Sequence, residues 1–372
     1  MLKKLTVQNF KCFENEALEL SNLNLFSGIN SMGKSTLIQA LLLLRQADEQ
    51  GALTRGIYLN GRYTNIGSGR DLLYRDAADE QITIKLDSEC QSSIWQYQYI
   101  GEADFLEAIE CYPKMIRKDE FNLFGNGFSY IAADRLGPQS SYQKSYYEAW
   151  EHQQIGSHGE YAVHFLQLHG SDLVKNRNVW YRADHNMRHA FAREVENWMG
   201  EITPGISFRT EDYGHSNRIG LTVHQASTSG AEYFSALNVG FGISYVLPVV
   251  LSLIKAGEND LVILENPEAH LHPAGQRKIG ELMARAAHGG AQIIVETHSD
   301  HILNGIRLAV KQQLVTSEEV KMNFFTRKEI QKNGECQMVP WIAKPMLLND
   351  GRLTFWPEGF FDEWDKAIDM LF

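Results

Sequence analysis

Apolar and polar positions change their period twice along the 372 residues of the chain. Between residues 2 and 27 the runs LTVQNF, ALEL and LNLF are short, apolar or alternating, and separated by polar turns, which predicts strands. Residues 50–135 continue in the same way. IYLNGRYTNIGSG carries turn signals at Asn60-Gly61 and Gly67-Ser68-Gly69, while ITIKL and SIWQYQYI alternate as half-buried strands do. The exception is TLIQALLLLRQ, apolar on nearly every face, which predicts a helix packed under a sheet.

Residues 140–200 have helical spacing in KSYYEAWEHQQ, EYAVHFLQLHG and HAFAREVENWMGEI, and predict a helical subdomain ending at Pro204-Gly205. No heptad pattern is sustained, so no long coiled-coil arm is expected. Strands return in ISFRTED and IGLTVHQ, followed by a polar link, ASTSGAEYF. The last third alternates: LVILEN, AGQRKIGELMARAAHG, AQIIVET and SDHILNGIRLAVKQQL read strand, helix, strand, helix, the order of a parallel α/β sheet. VKMNFFTR adds a strand. The tail GRLTFWPEGFFDEWDKAIDMLF is aromatic, reads as core or docking surface, and ends in a short helix. The expected divisions are 1–135 (N-terminal lobe), 136–205 (helical insertion), 206–330 (C-terminal lobe) and 331–372 (tail).

Composition adds little to the pattern but excludes some classes. Hydrophobic content of 44% and charged content of 22% are those of a globular protein. The 35 basic against 46 acidic residues give −11, which does not indicate a broad nucleic-acid-binding face, although a local basic patch stays open. Cys12, Cys90, Cys111 and Cys336 lack paired spacing, as expected of reduced thiols and not of a zinc knuckle. The start of the chain lacks the apolar core of a signal peptide, and no apolar run approaches a membrane span, so a cytoplasmic location without a membrane is expected.

The chemistry centres on GINSMGKST, residues 28–36, which fits G-x-x-x-x-G-K-[ST] with Gly28, Gly33, Lys34 and Ser35 at the required spacing. Glycines let backbone N–H groups turn inward around a polyphosphate. Lys34 would reach the β- and γ-phosphates and the Ser35 hydroxyl would hold Mg²⁺. Asn30 and Thr36 complete the loop assigned to nucleotide. The order strand, glycine loop, helix is the one that puts phosphates on a helix N-terminus.

Such a loop needs a magnesium-organising carboxylate, commonly at the end of a buried strand. In LVILENPEAHLHP the apolar run 261–264 closes at Glu265, and Glu268 follows beyond Pro267. IIVETHSD ends a second apolar strand near His298. Between loop and carboxylates, NVGFGISYVLPVVLSLIK places Gly240 and Gly242 before an apolar helix, where exposed N–H groups again suit an anion.

This set resembles the ATP-binding-cassette ATPases of the SMC, RecF and OLD kind. It more closely resembles bacterial AAA-labelled ATPases with an uncharacterised C-terminal domain, whose tails look like GRLTFWPEGFFDEWDKA. The resemblance extends over most of the chain and includes YIAADRLGP, residues 130–138. It implies an α/β fold with an ABC-type P-loop ATPase head, ATP and Mg²⁺ as cofactors, and a head-to-tail homodimer or higher homo-oligomer with ATP between subunits. Gly240, Gly242 and Ser244 of one subunit would face the loop of the other, and His298 would act as a switch near the γ-phosphate. Members of this class often sit in bacterial anti-phage defence or repair systems beside an effector protein, commonly a nuclease.

Two departures from the class bear on mechanism. The usual Asp-Glu pair appears as Glu265-Asn266, so an amide stands where a carboxylate normally polarises water, and the glycine turn departs from the transporter-type signature. Slow hydrolysis is expected, with Glu268 or His298 assisting the water. No Glu followed by Asp-x-Asp appears after the last helix of the strand–helix alternation, so a TOPRIM-type nuclease is not expected. Alternative readings are a RecF-like, DNA-engaging repair ATPase, a non-hydrolysing ATP-binding scaffold, and, for His270, His272, His298 and His301, a zinc site. Arg135 reads as an interlobe salt bridge or as a phosphate or nucleic-acid contact, and Asp71 as part of a loop sensing magnesium and water.

Overall fold

The computed structural model describes residues 1–182, 187–227, 230–238, 240–332, 335–361 and 368–371. Val239, first residue of the expected glycine turn, residues 228–229 of the polar link, and residues 362–367 and 372 of the tail lie outside them. The chain divides into two compact units: Met1–Gly125 with Val320–Met346 and Leu353–Phe372, and Asn126–Glu319 with Leu347–Arg352.

The first unit carries an antiparallel sheet of six strands in the order Phe13–Glu19, Lys4–Phe10, Gln81–Asp87, Ser92–Gln98, Phe105–Tyr112, Gly56–Tyr58. Alternation decides which face is buried: Ile82, Ile84 and Leu86 point inward while the residues between them are half-buried. Leu23–Gly28 runs parallel to Val320–Lys332, which pairs antiparallel with Glu335–Ala343. Helix α1 (Lys34–Glu49) follows the glycine loop. It is buried almost all round, as its sequence predicts, and even Arg45 lies inside. The Arg45 Nη1 donates to the carbonyls of Leu123 and Gly125 at 3.0 and 2.9 Å, while its Nη2 pairs with Glu49 at 2.8 Å.

In the second unit Ser129–Ile131, Leu261–Glu265 and Gln292–Glu296 form parallel pairs. Residues 261–264 are fully buried, which is why they read as an uninterrupted apolar run. Around them lie α2 (Ala162–His169), α3 (Phe191–Ile202), α4 (Phe241–Lys255), α5 (Pro273–His288) and α6 (Asp300–Lys311).

Two local expectations are corrected. KSYYEAWEHQQ forms only the π-helical turn Tyr147–Glu151, and the polar link forms strand: Gly230–Ser235 pairs in a hairpin with Arg218–Ser227. Cross-strand pairing outweighs the weak local preference of a Ser/Thr/Gly-rich segment. Among the described residues no helix is long and apolar enough to cross a membrane.

Candidate nucleotide site

The loop predicted to hold phosphate is built around two glycines that no other residue could replace. Gly28 closes its strand at φ +133°, and a Cβ there would lie 2.1 Å from the Phe325 carbonyl oxygen. The neighbouring Ile29 N–H donates to that same oxygen at 3.0 Å. Gly33 caps α1 at φ +98°, and its Cβ would meet the Phe13 ring at 2.5 Å and the Cys12 sulfur at 2.7 Å. Positive φ and close approach together demand glycine. Lys34 is buried, and its Nζ donates to the carbonyls of Gly28 at 3.0 Å and Ile29 at 2.9 Å, so the ammonium folds back over the loop. Asn30 and Ser35 are exposed, while Thr36 is buried with its hydroxyl 3.8 Å from the Cys12 thiol. The first turn of α1 holds no acidic residue that would compete with an anion for the positive end of the helix dipole.

In the second unit Glu265 and Glu296 end adjacent parallel strands in register. Burial, reinforced by the Glu296 charge, pushes the Glu265 carboxyl up to about 7, against hydrogen bonds from the Ala133 N–H and the Tyr130 hydroxyl that favour its ionised form. Two mutually repelling carboxylates, Glu265 half-buried and Glu296 buried, fit a hard divalent cation. Among the described residues no three His, Cys, Asp or Glu side chains gather as a protein-only metal cage. It corrects the zinc alternative: His272 caps α5, its Nδ1 accepting from the Ala274 N–H at 3.3 Å, and His270 lies edge-on to the Tyr245 ring.

The turn after Glu265 explains its own sequence. Asn266 sits at φ +45°, in the left-handed region that Asn tolerates better than Glu, and its N–H donates to the Glu296 carbonyl at 2.8 Å. Glu268 Oε1 accepts from the His298 N–H at 2.9 Å, while its Oε2 is buried with no hydrogen-bond partner among the described residues. The His298 side chain is exposed, and Ser299 next to it caps α6 through the N–H groups of His301 and Ile302.

The predicted glycine turn is placed unevenly. Gly240 is exposed, with open space where a Cβ would go, whereas a Cβ on Gly242 would lie 2.7 Å from the His270 carbonyl oxygen. Ser244 points inward: it is buried, 3.3 Å from the Tyr142 hydroxyl, one helical turn from the buried Leu247. The turn presents Gly240 and Phe241 to solvent in its place.

The Arg135 guanidinium is taken up by backbone carbonyls. It is buried and caps the carboxylate turn, Nη1 donating to the carbonyls of Ala132 at 2.8 Å and Glu265 at 2.7 Å, Nη2 to that of Asn266 at 2.7 Å. Asp71 serves its own turn, accepting from the Ser68 N–H and hydroxyl at 3.0 and 3.1 Å. Sequence reading gave no role to Glu296, Tyr130 or Phe325. For Glu296 a signal existed, since IIVE ends in a carboxylate just as LVILE does.

Residues 23–304 match the family described as "AAA domain, putative AbiEii toxin, Type IV TA system". The chain belongs to that family. Residues 315–371 of this AAA-domain protein match a second, described as "Protein of unknown function (DUF3696)". Among solved structures it is similar to a Smc head domain with an extended coiled coil bound to the C-terminal domain of ScpA, derived from Pyrococcus furiosus. That match has 12% identity and a TM-score of 0.51, covering 100% of this chain and 98% of that one. An SMC head domain from Thermotoga maritima matches at 14% identity and a TM-score of 0.43, covering 91% and 98%. The AAA-domain protein therefore has the α/β fold of the SMC-head, ABC-type P-loop ATPases, as the motifs imply. No curated protein matches it.

Proposed function

We propose that this AAA-domain protein binds ATP with Mg²⁺ at residues 28–36, hydrolyses it slowly, and uses ATP-dependent pairing of two copies to switch a partner effector. The observation that carries this reading is the loop itself: two obligatory glycines, a lysine folded onto the Gly28 and Ile29 carbonyls, and a 16-residue helix with no acidic first turn.

In this reading Lys34 binds the β- and γ-phosphates, with Gly28, Asn30, Gly33 and Thr36 shaping the cradle. Ser35 and Glu265 would hold Mg²⁺, which when bound neutralises charge on the phosphates. The Glu268 carboxylate accepts the proton of the attacking water, a role the Asn266 amide cannot fill at neutral pH. His298 is oriented through the hydrogen bond between its backbone and Glu268. Gly240 and Gly242 of one copy meet the nucleotide of the other, with Ser244 supporting their helix from inside.

The Pyrococcus furiosus Smc head is bound to a partner domain, and a comparable use is proposed here. Paired, ATP-bound copies would engage an effector, such as a nuclease of a defence system, and release it after hydrolysis. The net charge of −11 favours a protein partner over direct engagement of DNA. Light scattering with ATP, ADP and no nucleotide, together with a turnover assay, tests the reading. A dimer favoured by ATP and measurable phosphate release are expected. One oligomeric state throughout, with no turnover, would overturn it.

A further inference from the structure

The segment YIAADRLGP contributes no residue to the phosphate loop, yet its side chains and backbone surround the carboxylate turn. The Tyr130 hydroxyl and the Ala133 N–H hydrogen-bond Glu265. The Arg135 fork holds the carbonyls of Glu265 and Asn266, both at 2.7 Å. The same guanidinium lies over the Tyr245 ring, 5.4 Å from its centre, and Tyr245 belongs to the second turn of α4. Two further contacts, one from Gly137 and one from Tyr142 just beyond the segment, tie this part of the chain to that helix. The Phe241 ring lies 3.1 Å from where a Cβ of Gly137 would stand, and the Tyr142 hydroxyl is 3.3 Å from the Ser244 hydroxyl.

We propose that Arg135 is a positioning residue that fixes the carboxylate turn and the start of α4 in one register, so that the Glu265–Asn266 turn and the Gly240–Gly242 turn move together. Three features support this. The contacts reach both elements from one planar group whose donors are set in a rigid fork. Arg135 is only 3% exposed, so bulk water cannot replace those donors. Its Nε has no hydrogen-bond partner among the described residues, so the hydrogen bonds of the group go to backbone carbonyls at or beside the carboxylate turn. Lysine could neutralise the same charge but cannot grip two carbonyls in fixed directions.

Two measurements test the coupling, one of them without nucleotide. Hydrogen exchange on the nucleotide-free protein should be faster in Arg135→Lys both at residues 266–272 and at 240–247, with residues 28–40 unchanged. Tyr245→Leu leaves the carbonyl fork in place and should produce the same paired increase, whereas Tyr245→Phe keeps the ring face and should not. The second measurement rests on the proposed ATPase. Arg135→Lys and Tyr245→Leu should each lower kcat, by up to about 10²-fold for an ångström-scale misplacement, with ATP affinity nearly unchanged. Faster exchange confined to one of the two segments, or loss of kcat restricted to Arg135→Lys, would overturn the coupling. If the parent protein turns over no ATP, the proposed function fails by itself, and the exchange comparison still decides the role of Arg135.

Discussion

Glu268 and His298 are joined by a hydrogen bond of 2.9 Å, from the backbone N–H of His298 to Oε1 of Glu268. One oxygen of the carboxylate thus anchors the turn between the strand Gln292–Glu296 and α6, and the other is buried with no hydrogen-bond partner among the described residues; the proposed function gives the group a second role, as the base for water. The two roles separate by substitution. Glu268→Gln keeps the acceptor for His298 but cannot take a proton. It should bind ATP normally, lose about 10²–10⁴-fold in turnover, and accumulate as the ATP-bound dimer. Glu268→Ala loses both roles and should also be less stable by about 1 kcal/mol. Single-turnover assays and thermal melts separate the two. Parental turnover in Glu268→Gln would leave Glu268 as an anchor alone and make His298 the leading base.

Lys34→Ala removes an ammonium that already sits among loop carbonyls. Charge-assisted contacts of this kind contribute roughly 1.5–3 kcal/mol, so the Kd for ATP should rise about tenfold or more. Calorimetry showing unchanged affinity would refute the phosphate-loop assignment.

The two glycines before α4 are unequal probes of dimerisation. Gly242 packs against the His270 carbonyl, so any side chain there disturbs the fold as well as the surface. Gly240 faces open space at φ −58°, a conformation every residue adopts. Gly240→Asp should therefore leave the Tm and ATP binding of the single copy intact while its charge blocks the ATP-dependent dimer. Light scattering that still shows the ATP dimer with Gly240→Asp would remove this turn from the interface.

The Glu265–Glu296 pair makes stability depend on pH. The folded-state value of Glu265, about 7, lies above its unfolded value of 4.5, so the folded chain binds the extra proton between these limits. Its contribution is complete below the unfolded value and lost as pH rises through the folded one. Without divalent cations, stability should fall from pH 4.5 to 7 by up to about 3 kcal/mol from this group, and Glu265→Gln should flatten the slope. Denaturant titrations across that range in EDTA check the sign. A parental slope in Glu265→Gln would assign the effect to other groups.

Residue order alone settled the P-loop, the buried helix behind it, the parallel strands and Glu265 at the end of one of them. Each rests on local rules of glycine conformation, hydrophobic period and strand burial, which neighbours in sequence carry. Tertiary structure decided everything that required a partner distant in sequence. Asn266 reads as a missing base, but only the fold shows a backbone at φ +45° that suits an amide better than Glu. Ser244 reads as exposed at a helix start, but helical phase and Tyr142 turn it inward. Arg135 offers charge without a destination until carbonyls 130 and 131 residues away close on its fork. A pattern of apolar and polar positions specifies which face a side chain leaves from; which group meets it there is set by packing.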